Sequence, residues 1–361
     1  MRSLNIHRVA GRHLPVPGQG GGWAPTHLSP TMHPTRPSNK VCAHRGRGPE
    51  GAVDYTELLS AAVRSRIAYL DPPAVQALLS GGRRLRTHPT PWGSEADAEM
   101  VSEMRDVDPA SIRVYERPLR HKQKQRSRPR QGRATGYASG AQAYLWTRGD
   151  GTRCLTFRGT AGIEDLLSSL DVRMRPIPLA PGGRGGGPML PRIPRVHSGF
   201  LKQLETVWAD VQWDIDSDIG QDRSNPISVC GHSLGGALAT LAAVRLAAAA
   251  GAGAGPHRPV RCLTFGSPRV GDSAFAALGV KGWRVFNEGD PVPMLPDSRR
   301  FVHTPLGLRL EASGGATVGT DGRTLLECAR ALDPSAPLAD HTVDRYVARL
   351  RALRDSPFNT F

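Results

Sequence analysis

The feature that most constrains this chain is a short apolar run that ends in a serine framed by glycines. Ile227-Ser228-Val229-Cys230 leads into Gly231-His232-Ser233-Leu234-Gly235-Gly236, and a long alanine-rich apolar stretch follows. The first run reads as an interior strand and the alanine-rich stretch as a helix, so the serine falls on the sharp turn between them. Such a turn needs glycine on both sides, because side chains at Gly231 and Gly235 would collide with the neighbouring strand and helix. A strand that delivers a side chain to a helix start belongs in an open α/β sheet, where reactive groups collect at the carboxyl ends of the strands.

The rest of the chain agrees with that class. Residues 141–146, 153–157, 261–265 and 283–287 are further short apolar runs, and helical patterns over 199–215 and 234–250 precede or separate them. Alternating strand and helix predicts an α/β fold with a mainly parallel central sheet and helices on both faces. Arg148-Gly149-Asp150-Gly151 joins the first two runs as a tight hairpin. Upstream, Tyr55, Leu58, Leu59, Ala62, Arg66, Ile67 and Leu70 recur at helical spacing behind the possible cap Asp54, and Asp71-Pro72-Pro73 stops that helix. A last helix is predicted over 342–354. Three regions follow: a disordered or targeting extension over 1–50, a helix with a basic loop region over 51–133, and the α/β domain that bears the Ser233 turn over 134–361.

Of the 47 Lys and Arg, 22 precede residue 135 against 11 of the 32 acidic residues, so the formal charge of +15 sits largely outside the catalytic region. Eight basic residues and no acidic one lie between Arg117 and Arg133. Such a run can make peripheral contact with an anionic membrane, although a solvated loop has the same composition, and nucleic acid is not the expected partner. The five cysteines, Cys42, Cys154, Cys230, Cys262 and Cys328, show no metal-ligand spacing and read as small buried apolar residues. That pattern suggests a reducing, intracellular compartment, cytoplasmic or organellar. No signal peptide or membrane span is evident, and the arginine-bearing N-terminus fits a transit peptide as well as a basic tail.

A serine hydroxyl is a weak nucleophile that needs a base, and the base needs a carboxylate to fix its tautomer. Asn287-Glu288-Gly289-Asp290-Pro291-Val292-Pro293 follows the run 283–287, which puts Asp290 at the carboxyl end of a strand, with Glu288 and Asp297 as local competitors. Only His303 and His341 lie beyond Asp290. His341 precedes the last helix on a loop able to reach the serine, whereas His303 reads as a strand position. Charge developing on a substrate carbonyl would be met by the backbone N–H of Leu234 at a helix start. The corner Phe157-Arg158-Gly159-Thr160 would add a second donor from Thr160, whose alternative role is to cap the next helix.

With these residues in place the chain resembles the class 3 lipases, α/β-hydrolases that include fungal triacylglycerol lipases and plant acyl hydrolases. Phe157-Arg158-Gly159-Thr160, Val196-His197-Ser198-Gly199-Phe200, the Ser233 turn, Phe265-Gly266-Ser267-Pro268-Arg269-Val270-Gly271-Asp272, the Asp290 loop and Asp340-His341 match its motifs in order, over about residues 134–355. The resemblance implies a Ser233, Asp290, His341 triad, an oxyanion hole at Thr160 and Leu234, and structural roles for His197 and Gly199. It also implies a lid helix over 161–170, here carrying Leu166 and Leu167 where fungal members commonly have an aromatic residue. The chain also lacks the fungal disulfide pattern and inserts a Gly/Pro/Arg-rich loop at about 176–194. The implied activity is hydrolysis of lipid esters without metal or organic cofactor. Alternatives are phospholipase A1 or galactolipase action on membrane lipids, and a catalytically silent binding scaffold.

Overall fold

Alternate residues along the central strands lead into two separate apolar clusters, which is the signature of a sheet covered on both faces. In the computed structural model these strands are β2 (Gln142–Thr147), β3 (Arg153–Phe157), β6 (Ile227–His232), β7 (Val260–Phe265) and β8 (Lys281–Asn287). Ala143, Leu145, Leu155, Phe157, Ile227 and Val229 join one cluster, whereas Tyr144, Trp146, Cys154, Cys230, Leu263 and Phe265 join the other. A strand with one wet face would instead alternate apolar and polar side chains.

The structure describes residues 52–81, 93–116, 141–160, 173–179, 192–217, 224–251, 258–296, 299–303, 306–319 and 338–356. Residues 1–50, the basic run 117–133, the expected lid 161–170, Cys42, Cys328 and Asp297 lie outside them. With β1 (Arg113–Glu116), β9 (Gly307–Leu310) and β10 (Ala316–Gly319), the described sheet has eight strands in the order β1-β2-β3-β6-β7-β8-β9-β10. The pairings from β3 through β9 are parallel, and β1, β2 and β10 add antiparallel edges. A two-stranded ribbon of β4 (Met174–Pro176) and β5 (Arg195–His197) lies apart from this sheet.

One face is covered by α1 (Tyr55–Ile67), α2 (Pro72–Leu79), α3 (Ser94–Glu103) and α8 (Val343–Arg354), whose apolar residues join the second cluster. The other carries α4 (Ser198–Glu205), α5 (Trp208–Asp216) and α6 (Leu234–Gly251). A short α7 (Ser273–Ala276) precedes β8. The helix expected over 199–215 is two helices: the N–H groups of Thr206 and Val207 turn back three residues to the carbonyls of Gln203 and Leu204, and α5 restarts after the break. Among the described residues no helix is long and apolar enough to cross a membrane.

The helix α1 begins where the side chain of Asp54 accepts the N–H groups of Thr56 and Glu57 at 2.9 and 3.0 Å. Its apolar stripe packs on β6 and α8. Arg64 crosses to Glu103 at 3.0 Å and to the Ser228 hydroxyl at 3.2 Å, while Arg66 ties Glu99 and Asp344 at 3.0 and 2.8 Å. Elements that precede residue 134 in the chain therefore share the core of the sheet. Cys154, Cys230 and Cys262 are buried free thiols, and burial pushes Cys154 up to about 11 and Cys262 up to about 12, so both stay protonated and inert.

Two histidines, the half-buried His303 and the buried His232, are held neutral. Burial lowers the basicity of His303, and repulsion from Arg284 lowers it further, against the opposing pull of the Pro293 carbonyl that its Nε2–H reaches at 2.6 Å. His232 is depressed in the same way by burial and by its neighbour His341. In both cases the folded pKa lies below the ordinary 6.5, so the unfolded chain takes up protons that the folded chain refuses. Stability is therefore full above about 6.5 and is lost as the pH falls from there toward the folded values. Differential scanning fluorimetry should show a melting temperature that is level from about pH 8 to 7 and drops below about pH 6. His303→Gln, which keeps a donor for Pro293 and does not titrate, should flatten part of that drop. Leu58→Ala, at a side chain with 0% exposure in α1, should cost about 2 to 5 kcal/mol in urea denaturation.

Candidate active site

The sharp turn after β6 puts Ser233 in the left-handed region, at φ 58°, and it is the one non-glycine residue with positive φ among those described. Non-glycine residues hold such a conformation only where their surroundings enforce it. Here the Ser233 N–H donates to the Phe265 carbonyl at 2.9 Å, and the serine carbonyl accepts from Gly236 at 2.9 Å as α6 begins. The glycines make room for the turn. A methyl group on Gly231 would overlap the Gly235 carbonyl, and one on Gly235 would overlap the Phe157 carbonyl at the end of β3.

Ser233, Asp290 and His341 meet at this edge of the sheet. Ser233 Oγ lies 2.9 Å from His341 Nε2, and His341 Nδ1 lies 3.0 and 2.9 Å from the two oxygens of Asp290. All three are buried, Asp290 completely. A carboxylate only accepts, so Nδ1 carries the proton and Nε2 presents its lone pair to the serine hydroxyl. Asp290 follows β8, and His341 closes the single 3-10 turn Ala339–His341 ahead of α8. Between them Gly266 has φ 58°, and a Cβ there would stand 2.6 Å from Asp290 Oδ2 and 3.1 Å from His341 Nδ1. Glycine alone leaves that space open.

Asp290 draws hydrogen bonds from protein groups on both oxygens. The Val292 N–H donates to its Oδ1 at 2.9 Å and the Tyr346 hydroxyl to its Oδ2 at 2.5 Å. Burial and the adjacent Asp290 raise the Tyr346 phenol well above its ordinary range, so it stays a donor. The Asn287 N–H in turn donates to the Tyr346 oxygen at 3.1 Å. The turn that bears His341 is fastened nearby. Asn287 Nδ2 donates to the Asp340 carbonyl at 2.7 Å, and the Asp340 carboxylate accepts from the Gly289 N–H and pairs with Arg345 and Arg349. In sequence Tyr346 is one of several apolar-face positions of the last helix, and nothing there marks it as a ligand of the carboxylate.

The other candidates have separate partners. His303 donates to Pro293, and Glu288 accepts the Ala312 N–H at 3.2 Å beside the β9–β10 hairpin. His197 caps α4, its Nδ1 accepting from Gly199 and Phe200 at 3.2 and 3.3 Å. Leu234 opens α6, where the first backbone N–H groups lack partners within the helix. Half-buried Thr160 lies beyond β3, and Phe157 pairs with Gly231, so the Thr160 corner and the Ser233 turn leave the sheet at the same edge. Among the described residues no group of three or more His, Cys, Asp or Glu could hold a metal ion.

Residues 154–299 match the family model described as Lipase (class 3). A phospholipase A1-II 7 of Oryza sativa subsp. indica is 32% identical over 203 residues, covering 48% of this chain and 49% of that protein. A secreted mono- and diacylglycerol lipase 1 of Fusarium solani is 30% identical over 172 residues, with 46% of each chain covered. The chain thus spans about half the length of the curated relatives it matches. Lipase II from Rhizopus niveus superposes with a TM-score of 0.52 at 21% identity, covering 80% of this chain and 92% of that one, a likeness of fold. The described elements share the α/β-hydrolase fold of that lipase, and residues 154–299 match the class 3 lipase model.

Proposed function

We propose that the chain is a serine ester hydrolase acting on acyl esters of lipids, with Ser233 as nucleophile, His341 as general base and Asp290 as the carboxylate that orients it. The observation that carries this reading is the unbroken line from Ser233 Oγ through the His341 ring to Asp290, each step 2.9 Å, at a serine held in a left-handed turn. His341 takes the hydroxyl proton as Ser233 Oγ bonds to the ester carbonyl carbon, and the imidazolium returns it to the departing alcohol. Water then attacks the acyl-enzyme with His341 again as base, releasing the acid and restoring the serine. The buried Asp290 stabilises the imidazolium, and the Leu234 N–H with Thr160 receives the oxyanion. This chemistry calls on no metal or organic cofactor.

A neutral lipid such as an acylglycerol is the first substrate class, supported by the relation to the Fusarium enzyme. The relation to the Oryza phospholipase A1 favours a second reading, in which a membrane phospholipid is the substrate and the basic run between Arg117 and Arg133 supplies attraction to an anionic bilayer. We read the compartment as intracellular, cytoplasmic or organellar, on the free buried thiols of Cys154, Cys230 and Cys262.

Ser233→Ala should lower ester turnover by about four to six orders of magnitude, and Thr160→Ala by roughly two to three. Turnover of p-nitrophenyl esters by enzyme freed of host esterases checks both, and near-full activity in the serine variant would refute the assignment. A fluorophosphonate probe should label Ser233 in the wild-type chain, whereas a silent scaffold would stay unlabelled. Fatty-acid release from acylglycerol emulsions and from phospholipid vesicles, with and without anionic lipid, decides between the substrate classes.

A further inference from the structure

The residue before the nucleophile, His232, ends β6 with its ring buried, and each of its nitrogens touches a different part of the chain. Nε2 lies 2.5 Å from the backbone carbonyl oxygen of His341, and Nδ1 lies 2.7 Å from the hydroxyl of Tyr69, just beyond the end of α1. A carbonyl only accepts, so Nε2 must carry the ring proton and donate it. Nδ1 is then a bare acceptor, and Tyr69 is its donor. The protonation states agree: burial keeps His232 neutral, and burial raises the Tyr69 phenol although Arg158 pulls it down. Tyr69 also abuts the Thr160 corner. A methyl group on Gly159 would overlap the Tyr69 hydroxyl and stand 2.6 Å from the His232 carbonyl oxygen.

We propose that Tyr69 and His232 are positioning residues for the reaction, forming a clamp that runs from the end of α1 through the His232 ring to the backbone of His341. The inference rests on the reading of His341 as the base of Ser233. Asp290 fixes how the His341 imidazole is turned, and Asn287 and the partners of Asp340 fasten the 3-10 turn one residue earlier. The Nε2–H of His232 adds a hold at the peptide carbonyl of His341 itself, and Ser233 is the next residue along the chain, so nucleophile and base are referred to one rigid ring. The ring serves because it offers a donor on one edge and an acceptor on the other without charge. Tyr69 selects the tautomer: without its hydroxyl the proton can move to Nδ1, which turns a lone pair toward the His341 carbonyl and loosens the turn. Displacements of about 1 Å in such a site can cost about 100-fold in rate. Tyr69 lies outside the family match at 154–299, so the helical segment ahead of the sheet would complete the site.

The test uses the full chain carrying Tyr69→Phe, His232→Leu or His232→Gln, with kcat and KM on p-nitrophenyl butyrate, the rate of fluorophosphonate capture by Ser233, and the melting temperature. Tyr69→Phe should lower kcat about 10-fold and His232→Leu about 100-fold, with KM held within about twofold. His232→Gln, whose side-chain amide can reach the position of Nε2, should recover about 10-fold over the leucine variant at a similar melting temperature. Equal losses in the glutamine and leucine variants, unchanged kcat in Tyr69→Phe, or a loss confined to KM would overturn the clamp. If the leucine variant fails to fold, Tyr69→Phe against His232→Gln carries the same decision. A wild-type chain that fluorophosphonate does not label defeats the hydrolase reading instead, and the clamp is then judged by imidazole 15N shifts. They should report His232 as the neutral Nε2–H tautomer from about pH 8 to 5, and an Nδ1–H form or ordinary titration would sink it.

Discussion

Everything at this site depends on how closely two pieces of backbone approach where β6 turns into α6. Gly231 faces the Gly235 carbonyl and Gly235 faces the end of β3, so neither position, two residues from the serine on each side, has room for a side chain. That contact fixes the first turn of α6 against the sheet and forces Ser233 into its positive φ. The strain is local, and the surrounding core enforces it: strands covered on both faces cannot shift to relieve one residue. The Ser233 hydroxyl is thereby aimed across the edge of the sheet toward the 3-10 turn at His341.

The electrostatic design follows from dryness. Asp290 is fully buried, and a buried carboxylate is costly unless its oxygens are hydrogen-bonded. Donation from Val292, Tyr346 and the His341 ring gives its oxygens the hydrogen bonds that water would have supplied. The same low dielectric strengthens the attraction between Asp290 and an imidazolium when His341 takes a proton.

Much of this was legible in the sequence, for identifiable reasons. The Ser233 turn could be read because it is local: strand, glycine, serine, glycine and helix occupy consecutive positions. Asp290 and His341 could be nominated because each stands beside a recognisable strand end or helix start. Tyr346 and Tyr69 could not, since each looks like an ordinary helix-face aromatic until the fold brings it 56 residues back to Asp290 or 163 residues on to His232. The break between α4 and α5 was equally hidden, because apolar spacing continues through Thr206 and Val207. β1 falls on Ile112-Arg113-Val114-Tyr115, the apolar exception in a largely polar stretch, but its place in the sheet arises from pairing with β2 and could not be read locally.

The layer formed by α1 and α8 has a consequence for which segments make up the site. These helices come from opposite ends of the described chain and pack against each other on one side of the sheet. The matched stretch 154–299 holds Ser233 and Asp290, yet the His341 imidazole comes from beyond it and the Tyr69 phenol beside Gly159 from before it. A fragment cut to the matched segment would keep the Ser233 turn and lack the imidazole that reaches its hydroxyl. The functional unit is set by which segments close around the serine, and it is wider than the part that resemblance picks out.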